Sequence, residues 1–160
     1  MENQALIRAA QPEDVLTIIG LIHEMAHFEK LEDQLVLTPE LLEHYLFDQK
    51  KAEALLLEVQ GSVVGYALFF ESFSTFEGRT GLYLEDLFIS KDQRSQGMGK
   101  ALFKAVASEA VRRGCPRMEW ACLDWNQHAI EFYLSLQAQP LEQWTVYRLT
   151  GDALKQAGSQ

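Results

Sequence analysis

The sequence predicts an α/β fold in which helices flank a mixed β-sheet. The chain has 160 residues, the size of one ordinary domain. Hydrophobic residues make up 48% and charged residues 23% of it, as in chains that bury a core. Short apolar runs of strand length alternate with segments of helical periodicity, in the order strand, two helices, three strands, helix, strand, helix, strand. We therefore expect residues 1–160 to form a single domain.

The first third of the chain predicts one strand and two helices. Residues 6–9 are predicted to form a short strand. Residues 11–14 then combine proline with acidic residues, a pattern typical of the start of a helix. Helix one follows from apolar residues at helical spacing, which are Val15, Ile18, Ile19, Ile22, Met25 and Ala26. Thr38 and Pro39 suit an N-cap and a first helical turn, so helix two is expected to run toward Asp48.

The rest of the chain predicts a hairpin followed by a strand–helix–strand unit. The apolar runs 54–59 and 63–70 flank a tight turn at residues 60–62, which predicts a β-hairpin. The strand–helix–strand unit consists of strand 82–89, helix 97–113 and strand 117–123. A right-handed crossover places the loop after its first strand at that strand's carboxyl end, where ligands commonly bind. A helix at 126–136 and a last strand at 145–149 complete the prediction.

Charge and composition exclude several classes of function. The sequence has 14 basic and 23 acidic residues, a net charge of −9, which opposes binding to nucleic acid. The absence of an apolar run of about 18 residues argues against a membrane segment. The N-terminal residues do not resemble a secretory signal, which favours the cytoplasm. Cys115 and Cys122 are interpreted as buried thiols rather than metal ligands. The acidic surface favours a small cationic ligand, although solubility alone explains the same charge.

A glycine-bearing loop opens the predicted helix 97–113. Its sequence is Arg94-Ser95-Gln96-Gly97-Met98-Gly99-Lys100. Backbone N–H groups at a helix start, together with the helix dipole, favour a phosphate. The spacing matches neither a Walker loop nor G-x-G-x-x-G. By itself, this loop is also compatible with an ordinary turn before a helix.

The motifs occur in an order that resembles the GNAT superfamily of N-acetyltransferases. They are Tyr83-Leu84-Glu85-Asp86-Leu87-Phe88-Ile89, the R-x-x-G-x-G loop 94–99, Leu123-Asp124-Trp125-Asn126 and Phe132-Tyr133. A narrower resemblance, to the diamine and thialysine N-acetyltransferases, adds Phe28-Glu29-Lys30-Leu31, Gly78-Arg79-Thr80 and Gln127. This resemblance implies a mostly antiparallel sheet, acetyl-CoA as co-substrate, a small amine substrate, a homodimer and no metal.

The resemblance also implies roles for individual residues. Tyr133 would be the general acid, Glu85 would lie at the amine, and Phe28, Glu29 and Asp86 would join Glu85 at the substrate. Coenzyme A would contact Leu87, Phe88, Ile89, Arg94, Ser95, Gln96, Gly97, Met98, Gly99, Lys100, Asn126, Gln127, His128 and Ala129.

Departures from the family pattern bear on the substrate. Ser74 and Phe76 stand where the polyamine enzymes have an aspartate and a tryptophan, which disfavours a long polycation. Gln137 replaces the glycine that commonly follows the tyrosine helix, and the segment 139–144, with Glu142, is shortened. Thialysine or a similar amino acid therefore ranks first, short diamines second and long polyamines third.

The chemistry of acetyl transfer suits the two proposed catalytic side chains. An amine of pKa about 10 must lose a proton before it attacks a thioester, and a carboxylate accepts that proton. Because strand side chains alternate, Glu85 and Asp86 are expected on opposite faces, and we choose Glu85 for the cleft. The departing thiolate needs a proton, which the phenol of Tyr133 can donate.

Other functions compete with acetyl transfer to a small amine. A non-catalytic coenzyme A sensor, or an acetyltransferase for a peptide amine, would need the same loop. His23-Glu24-Met25-Ala26-His27 also matches H-E-x-x-H, in which two histidines bind zinc and the glutamate activates water. Helical geometry places both histidines on the flank of helix one and Glu24 nearly opposite its apolar face. We therefore interpret this motif as a polar flank and expect no metal.

Overall fold

A five-stranded sheet forms the centre of the first of two units in the chain. The structure is a computed structural model that describes residues 5–94 and 96–159, and the units are Met1–Ala121 and Cys122–Gln160. The strands are β1 (Ala5–Ala9), β2 (Glu53–Val59), β3 (Ser62–Ser74), β4 (Arg79–Ile89) and β5 (Met118–Glu119). They lie in that order, and every neighbouring pair is antiparallel except β4 and β5. The predicted α/β fold with a mostly antiparallel sheet is confirmed.

Three helices of this unit pack against the sheet. They are α1 (Val15–Phe28), α2 (Pro39–Glu43), which continues as a π-helical turn over His44–Asp48, and α3 (Met98–Arg112). One core cluster joins α1, α2 and the sheet through Val15, Ile18, Leu21, Ile22, Leu42, Leu46, Ala54, Leu56, Tyr66 and Phe88. Helix α3 packs on β2, β3 and β4. Because the adjacent residues Leu56 and Leu57 are both fully buried, the sheet is covered on both faces.

The predicted hairpin is confirmed, with longer strands than expected. Gln60 (φ 52°) and Gly61 (φ 79°) both have positive φ angles, which is the signature of a type I′ turn. This turn matches the right-handed twist of the flanking strands β2 and β3.

The strand–helix–strand unit is also present, but its second strand is shorter than predicted. Only Met118 and Glu119 pair with β4, opposite Leu82 and Tyr83. A bulge in β4 follows at Glu85, and a bulge bends its strand, so the ladder has no continuation in that direction.

The second unit contains two helices, α4 (Gln127–Ser135) and α5 (Gly151–Gly158). The predicted strand 145–149 is wrong, because no described residue of that segment joins a ladder, and Val146 and Tyr147 are 87% and 91% exposed. A strand forms only where a partner edge accepts its hydrogen bonds, and sequence alternation does not supply that edge. Among the described residues, no helix combines the length and apolarity needed to cross a bilayer. The single-domain prediction stays a prediction.

Candidate active site

A β-bulge in β4 controls where the two adjacent acids point. In the ladder with β3, Asp86 pairs with Leu68 and Leu84 pairs with Phe69, which leaves Glu85 as the extra residue. Leu84 therefore lies on the same face of the sheet as Phe69. This is the face toward α3, because the ring centre of Phe69 lies 5.7 Å from the guanidinium carbon of Arg113, the residue that follows α3. Asp86 instead lies on the side of α1. The bulge interrupts the regular strand on which the expected alternation of Glu85 and Asp86 depended.

Asp86 is the partly buried acid of this pair, and Glu85 is the exposed one. The Tyr66 hydroxyl donates a hydrogen bond of 3.0 Å to Oδ2 of Asp86, and it lies 3.3 Å from Sδ of Met25. The pKa of Asp86 is raised to about 6, mainly by burial. The hydrogen bond from Tyr66 lowers this pKa, and the charges of Glu85 and Glu29 raise it, so that about 6 is the net result. Asp86 is therefore ionised at neutral pH and takes up a proton under mildly acidic conditions.

The C-terminal end of α1 brings Phe28 and Glu29 to the same part of the first unit. The helix closes with Lys30 in the left-handed region (φ 60°), and the Leu31 N–H donates to the carbonyl of Ala26 over 2.9 Å. Burial raises the pKa of Glu29. Since the charge of Glu29 acts on Asp86, these two acids and Glu85 form one electrostatic group, which we call the acid cluster.

Arg94 connects α1 to the loop that precedes α3. Its guanidinium carbon lies 4.5 Å from the ring centre of Phe28 and 5.1 Å from that of Phe88. Its Nε donates a hydrogen bond of 2.9 Å to the carbonyl of Ile89. The rings and the carbonyl thus hold Arg94 at the base of the loop. Its predicted contact with coenzyme A stays a prediction.

The start of α3 fits an anionic group. Gly97 has φ 74°, and the first helical bond runs from the Ala101 N–H to the Gly97 carbonyl, so the N–H groups of residues 98–100 lie at the helix end. A Cβ atom at Gly97 would meet nothing within 4 Å, which leaves room for a ligand.

The residues predicted to contact coenzyme A around this helix start differ in exposure. Gln96 and Lys100 are exposed, whereas Met98, Phe88 and Ile89 are buried, and Leu87 is half-buried. Ser95 lies outside the described residues.

The remaining predicted site residues belong to the second unit. Asn126 caps α4, and its Oδ1 accepts a hydrogen bond of 3.2 Å from the Ala129 N–H. Gln127 and His128 are exposed in the first turn of α4. Tyr133 is half-buried on the same helix, with its ring centre 5.3 Å from that of Phe132. The roles of these residues stay predictions.

The H-E-x-x-H motif has structural partners. Oε1 of Glu24 accepts hydrogen bonds from Oγ of Ser90 (2.9 Å) and from the Lys91 N–H (3.1 Å). Nδ1 of His27 lies 3.2 Å from a carboxylate oxygen of Glu32. The side of α1 opposite its apolar face is therefore not simply exposed, because the connection after β4 lies against it at Glu24. Within residues 5–94 and 96–159, no three potential metal ligands come together.

The hydrogen bonds of Tyr66 and Glu24 were not predicted from the sequence. Tyr66 carries the single hydroxyl in the apolar run 63–70, a signal that could have indicated a buried polar partner. Glu24 contacts residues more than 60 positions away, and no local pattern marks such a contact.

Comparison with known proteins agrees with the motif order. Residues 19–137 match the acetyltransferase (GNAT) family. The thialysine N-epsilon-acetyltransferase of Bos taurus is 39% identical, over 94% of this chain and 95% of that protein. The L-ornithine N5-acetyltransferase of Arabidopsis thaliana is 34% identical, over 93% of this chain and 86% of that protein. An integron cassette protein from the mobile metagenome of V. cholerae has a similar solved structure, with a TM-score of 0.79 at 25% identity over 97% of this chain and 98% of its own.

Proposed function

Since the chain belongs to the GNAT family of acetyltransferases, we propose that it moves the acetyl group of acetyl-CoA to the primary amine of a small cationic substrate. The preferred substrate is an amino acid with a distal amine, as in thialysine or ornithine, on which the named relatives act. Short diamines rank second and long polyamines third. The observation that carries the proposal is the acid cluster. Glu85 and Asp86 lie on β4, the strand that leads into the loop before α3, and Glu29 lies at the end of α1.

The acid cluster supports recognition of an ammonium group. A primary amine of pKa about 10 reaches the enzyme mainly as a cation, and three nearby carboxylates favour that charge. Burial is the main cause of the raised pKa of Asp86, and the charges of Glu85 and Glu29 add to it, so an arriving cation relieves a repulsion already present in the protein. A partly buried, hydrogen-bonded anion such as Asp86 suits a fixed binding role.

Proton transfer is assigned to the exposed member of the pair. Glu85 takes a proton from the ammonium, either directly or through a water molecule, and the neutral amine then attacks the thioester carbonyl. The nitrogen of the tetrahedral intermediate loses its second proton to solvent. The carbonyl then re-forms as the carbon–sulfur bond breaks, and the coenzyme A thiolate leaves. Tyr133 donates the proton to that thiolate, a role that rests on the family resemblance. Attack is direct, in a ternary complex without an acyl-enzyme.

The decisive experiment measures binding and turnover separately. Calorimetry with acetyl-CoA tests the coenzyme, and release of the coenzyme A thiol is then followed with thialysine, ornithine, lysine, putrescine, spermidine and a peptide amine. We expect acetyl-CoA binding and the highest kcat/KM with thialysine or ornithine. Binding without turnover would indicate a coenzyme A sensor. If the peptide amine has the highest kcat/KM, the assignment to a small-molecule substrate is overturned. Absence of acetyl-CoA binding would overturn the whole proposal.

Variants test the residue assignments in the same assay. Tyr133→Phe and Glu85→Gln should each lower kcat by about 100-fold, while the affinity for acetyl-CoA changes little. Tyr147→Phe is the control for the phenol, because Tyr147 is 91% exposed in the same unit. An unchanged rate in Tyr133→Phe would remove the acid role from that residue.

The active form is proposed to be a homodimer. This assignment rests on the resemblance to acetyltransferases that pair their subunits. Light scattering at micromolar concentration should report twice the monomer mass of 18.2 kDa, and a mass of one monomer would contradict it.

A further inference from the structure

Glu24 makes a contact that the acetyl-transfer chemistry does not require. It is the glutamate of the H-E-x-x-H motif, it lies in the middle of α1, and it is half-buried. One of its carboxylate oxygens accepts two hydrogen bonds from the connection between β4 and α3. We propose that Glu24 is a positioning residue, which holds that connection in the form that binds acetyl-CoA. The inference rests on the proposed function.

The two hydrogen bonds fix the first residues after β4. The donors are the Ser90 hydroxyl, at 2.9 Å, and the Lys91 N–H, at 3.1 Å. Ser90 is also fixed from the sheet, because its N–H donates to the carbonyl of Val64 over 2.8 Å. A 3₁₀ turn over Lys91–Gln93 starts at this point and leads into Arg94. Glu24 therefore sets where the connection leaves the sheet.

A second contact from the same face of α1 fixes the end of that turn. Phe28 lies four residues after Glu24, so both side chains project from one side of the helix. The Phe28 ring stacks on Arg94 at 4.5 Å. Helix α1 thus holds the connection at residues 90 and 91 and again at residue 94. Only Ser95 and Gln96 then separate the held segment from Gly97, where the anion-binding start of α3 lies.

The negative charge of Glu24 indicates that it positions the connection and does not bind acetyl-CoA directly. A carboxylate near an anion-binding loop repels the phosphates of acetyl-CoA, so its contribution to affinity comes from its two hydrogen bonds. Glu24→Gln keeps an oxygen that can accept both bonds and removes the repulsion. Glu24→Ala removes the acceptor and leaves two polar groups to find water. The two substitutions should therefore differ in their effect on acetyl-CoA.

The test is the calorimetric Kd of acetyl-CoA without amine, followed by steady-state kinetics. We expect Glu24→Ala to weaken acetyl-CoA binding roughly tenfold, which is the loss expected for hydrogen bonds to a charged acceptor. The KM for acetyl-CoA should rise in parallel, while kcat and the KM for the amine change little. Glu24→Gln should stay within about threefold of the parent protein, because it preserves the acceptor. Ser90→Ala should weaken binding less than Glu24→Ala, and it should add nothing when the two are combined.

Glu43→Ala is the matched control, since Glu43 is an exposed acid at the end of α2. Thermal unfolding of every variant accompanies the binding data. The inference is overturned if Glu24→Ala lowers the Tm but leaves the Kd of acetyl-CoA equal to that of Glu43→Ala. It is also overturned if Glu24→Gln binds acetyl-CoA as weakly as Glu24→Ala does. Should Glu24→Ala not fold, an unchanged Kd in Ser90→Ala overturns it instead. Failure of the parent protein to bind acetyl-CoA would reject the proposed function, a result that no Glu24 variant can mimic.

Discussion

Asp86 is an ionised side chain in a site that opposes its charge. Burial raises its pKa to about 6, whereas an exposed aspartate titrates near 3.8. Between these two values the folded protein holds more protons on this group than the unfolded chain does. The free energy of unfolding therefore falls as the pH rises through this interval. At pH 7, where Asp86 is ionised, the whole of this loss of stability is present. Such a cost is expected where a charge serves binding rather than stability.

Asp86→Asn should therefore separate stability from activity. The amide oxygen can still accept the hydrogen bond from Tyr66, so the substitution removes mainly the charge. At pH 7 we expect the free energy of unfolding to rise by about 1 to 3 kcal/mol, and this gain should vanish below pH 4. The kcat/KM for the amine should fall at least tenfold.

Urea denaturation between pH 4 and 8, with amine kinetics, measures both effects. Asp152→Asn is the control, because Asp152 is an exposed aspartate in α5. A loss of stability in Asp86→Asn at pH 7 would contradict this assignment of the buried charge.

The identities of the acids could be predicted from the sequence, but their directions could not. The residue pair Glu85 and Asp86 follows from the motif Tyr83-Leu84-Glu85-Asp86. The face that each one occupies depends on the bulge, which arises from the pairing of β4 with β3, about 17 residues away along the chain. Local alternation contains no information about that pairing.

Two helix ends show how one cap is built with different residues. After α3, Gly114 adopts φ 74°, and after α4, Gln137 adopts φ 66°. In both cases the N–H of the next residue bonds back to the helix, from Cys115 to Ala110 (2.9 Å) and from Ala138 to Tyr133 (3.2 Å). These are Schellman caps, in which glycine avoids the steric cost of the left-handed conformation. Gln137 bears that cost.

Gln137→Gly and Gly114→Gln should therefore have opposite effects on stability. We expect the first to raise and the second to lower the free energy of unfolding, each by about 0.5 to 1 kcal/mol. Both positions are exposed, and a Cβ atom at Gly114 would meet nothing within 4 Å, so packing does not obscure the comparison.

Thermal and urea unfolding measure the change. Gln139→Gly is the control, since Gln139 is exposed and its φ angle is not positive. An equal gain in that control would show that the effect does not come from the cap.

Elements with their own local signals were predicted well, and elements that depend on a partner were not. Helix α1 follows from its apolar spacing, and the β2–β3 turn follows from Gln60 and Gly61. The segment 145–149 has the composition of a strand, yet no ladder forms among its described residues. Strand formation needs a second edge, which periodicity alone does not identify.

Arg113 links three elements of the first unit. Its guanidinium donates two hydrogen bonds to Glu53 of β2, at 2.7 and 2.8 Å, one to Glu71 of β3, at 3.1 Å, and one to Glu109 of α3, at 2.7 Å. Only 18% of its side chain is exposed, against 71% for the neighbouring Arg112. Arg112 and Arg113 together lower the pKa of Glu109 to about 2.

Arg113→Met should lower the free energy of unfolding by about 1 to 3 kcal/mol, because it removes a largely buried cation that joins the acids of two strands and the partly buried Glu109. Arg112→Met is the matched control and should change it by less than about 0.5 kcal/mol, as expected for an exposed ion pair. A lowered pKa contributes stability above the ordinary titration of glutamate and loses it as the pH falls toward 2. The difference between the variants should therefore shrink in acid. Equal losses at pH 7 would contradict the linking role of Arg113.

The net charge of −9 acts on every charged molecule that approaches the protein. The Debye length is about 30 Å at 0.01 M salt and about 8 Å at 0.15 M, so distant acids act only at low salt. A diamine with two positive charges should respond more strongly to this field than thialysine, whose net charge near pH 7 is +1 by its functional groups. Comparing the salt dependence of the two amines therefore distinguishes attraction by the net charge of the whole protein from attraction by contacts with the acid cluster alone.

We therefore expect kcat/KM for putrescine to fall several-fold between about 0.01 and 0.15 M salt, and for thialysine to fall less. The double variant Glu40→Lys/Glu43→Lys reverses two exposed charges of α2 and should flatten both salt dependences while kcat at 0.15 M stays unchanged. Steady-state kinetics at constant pH over that salt range provide the measurement. Equal slopes for the two amines would contradict long-range attraction. A steep slope that persists in the double variant would instead assign the attraction to Glu29, Glu85 and Asp86 alone, since contacts at short range do not depend on charges of α2.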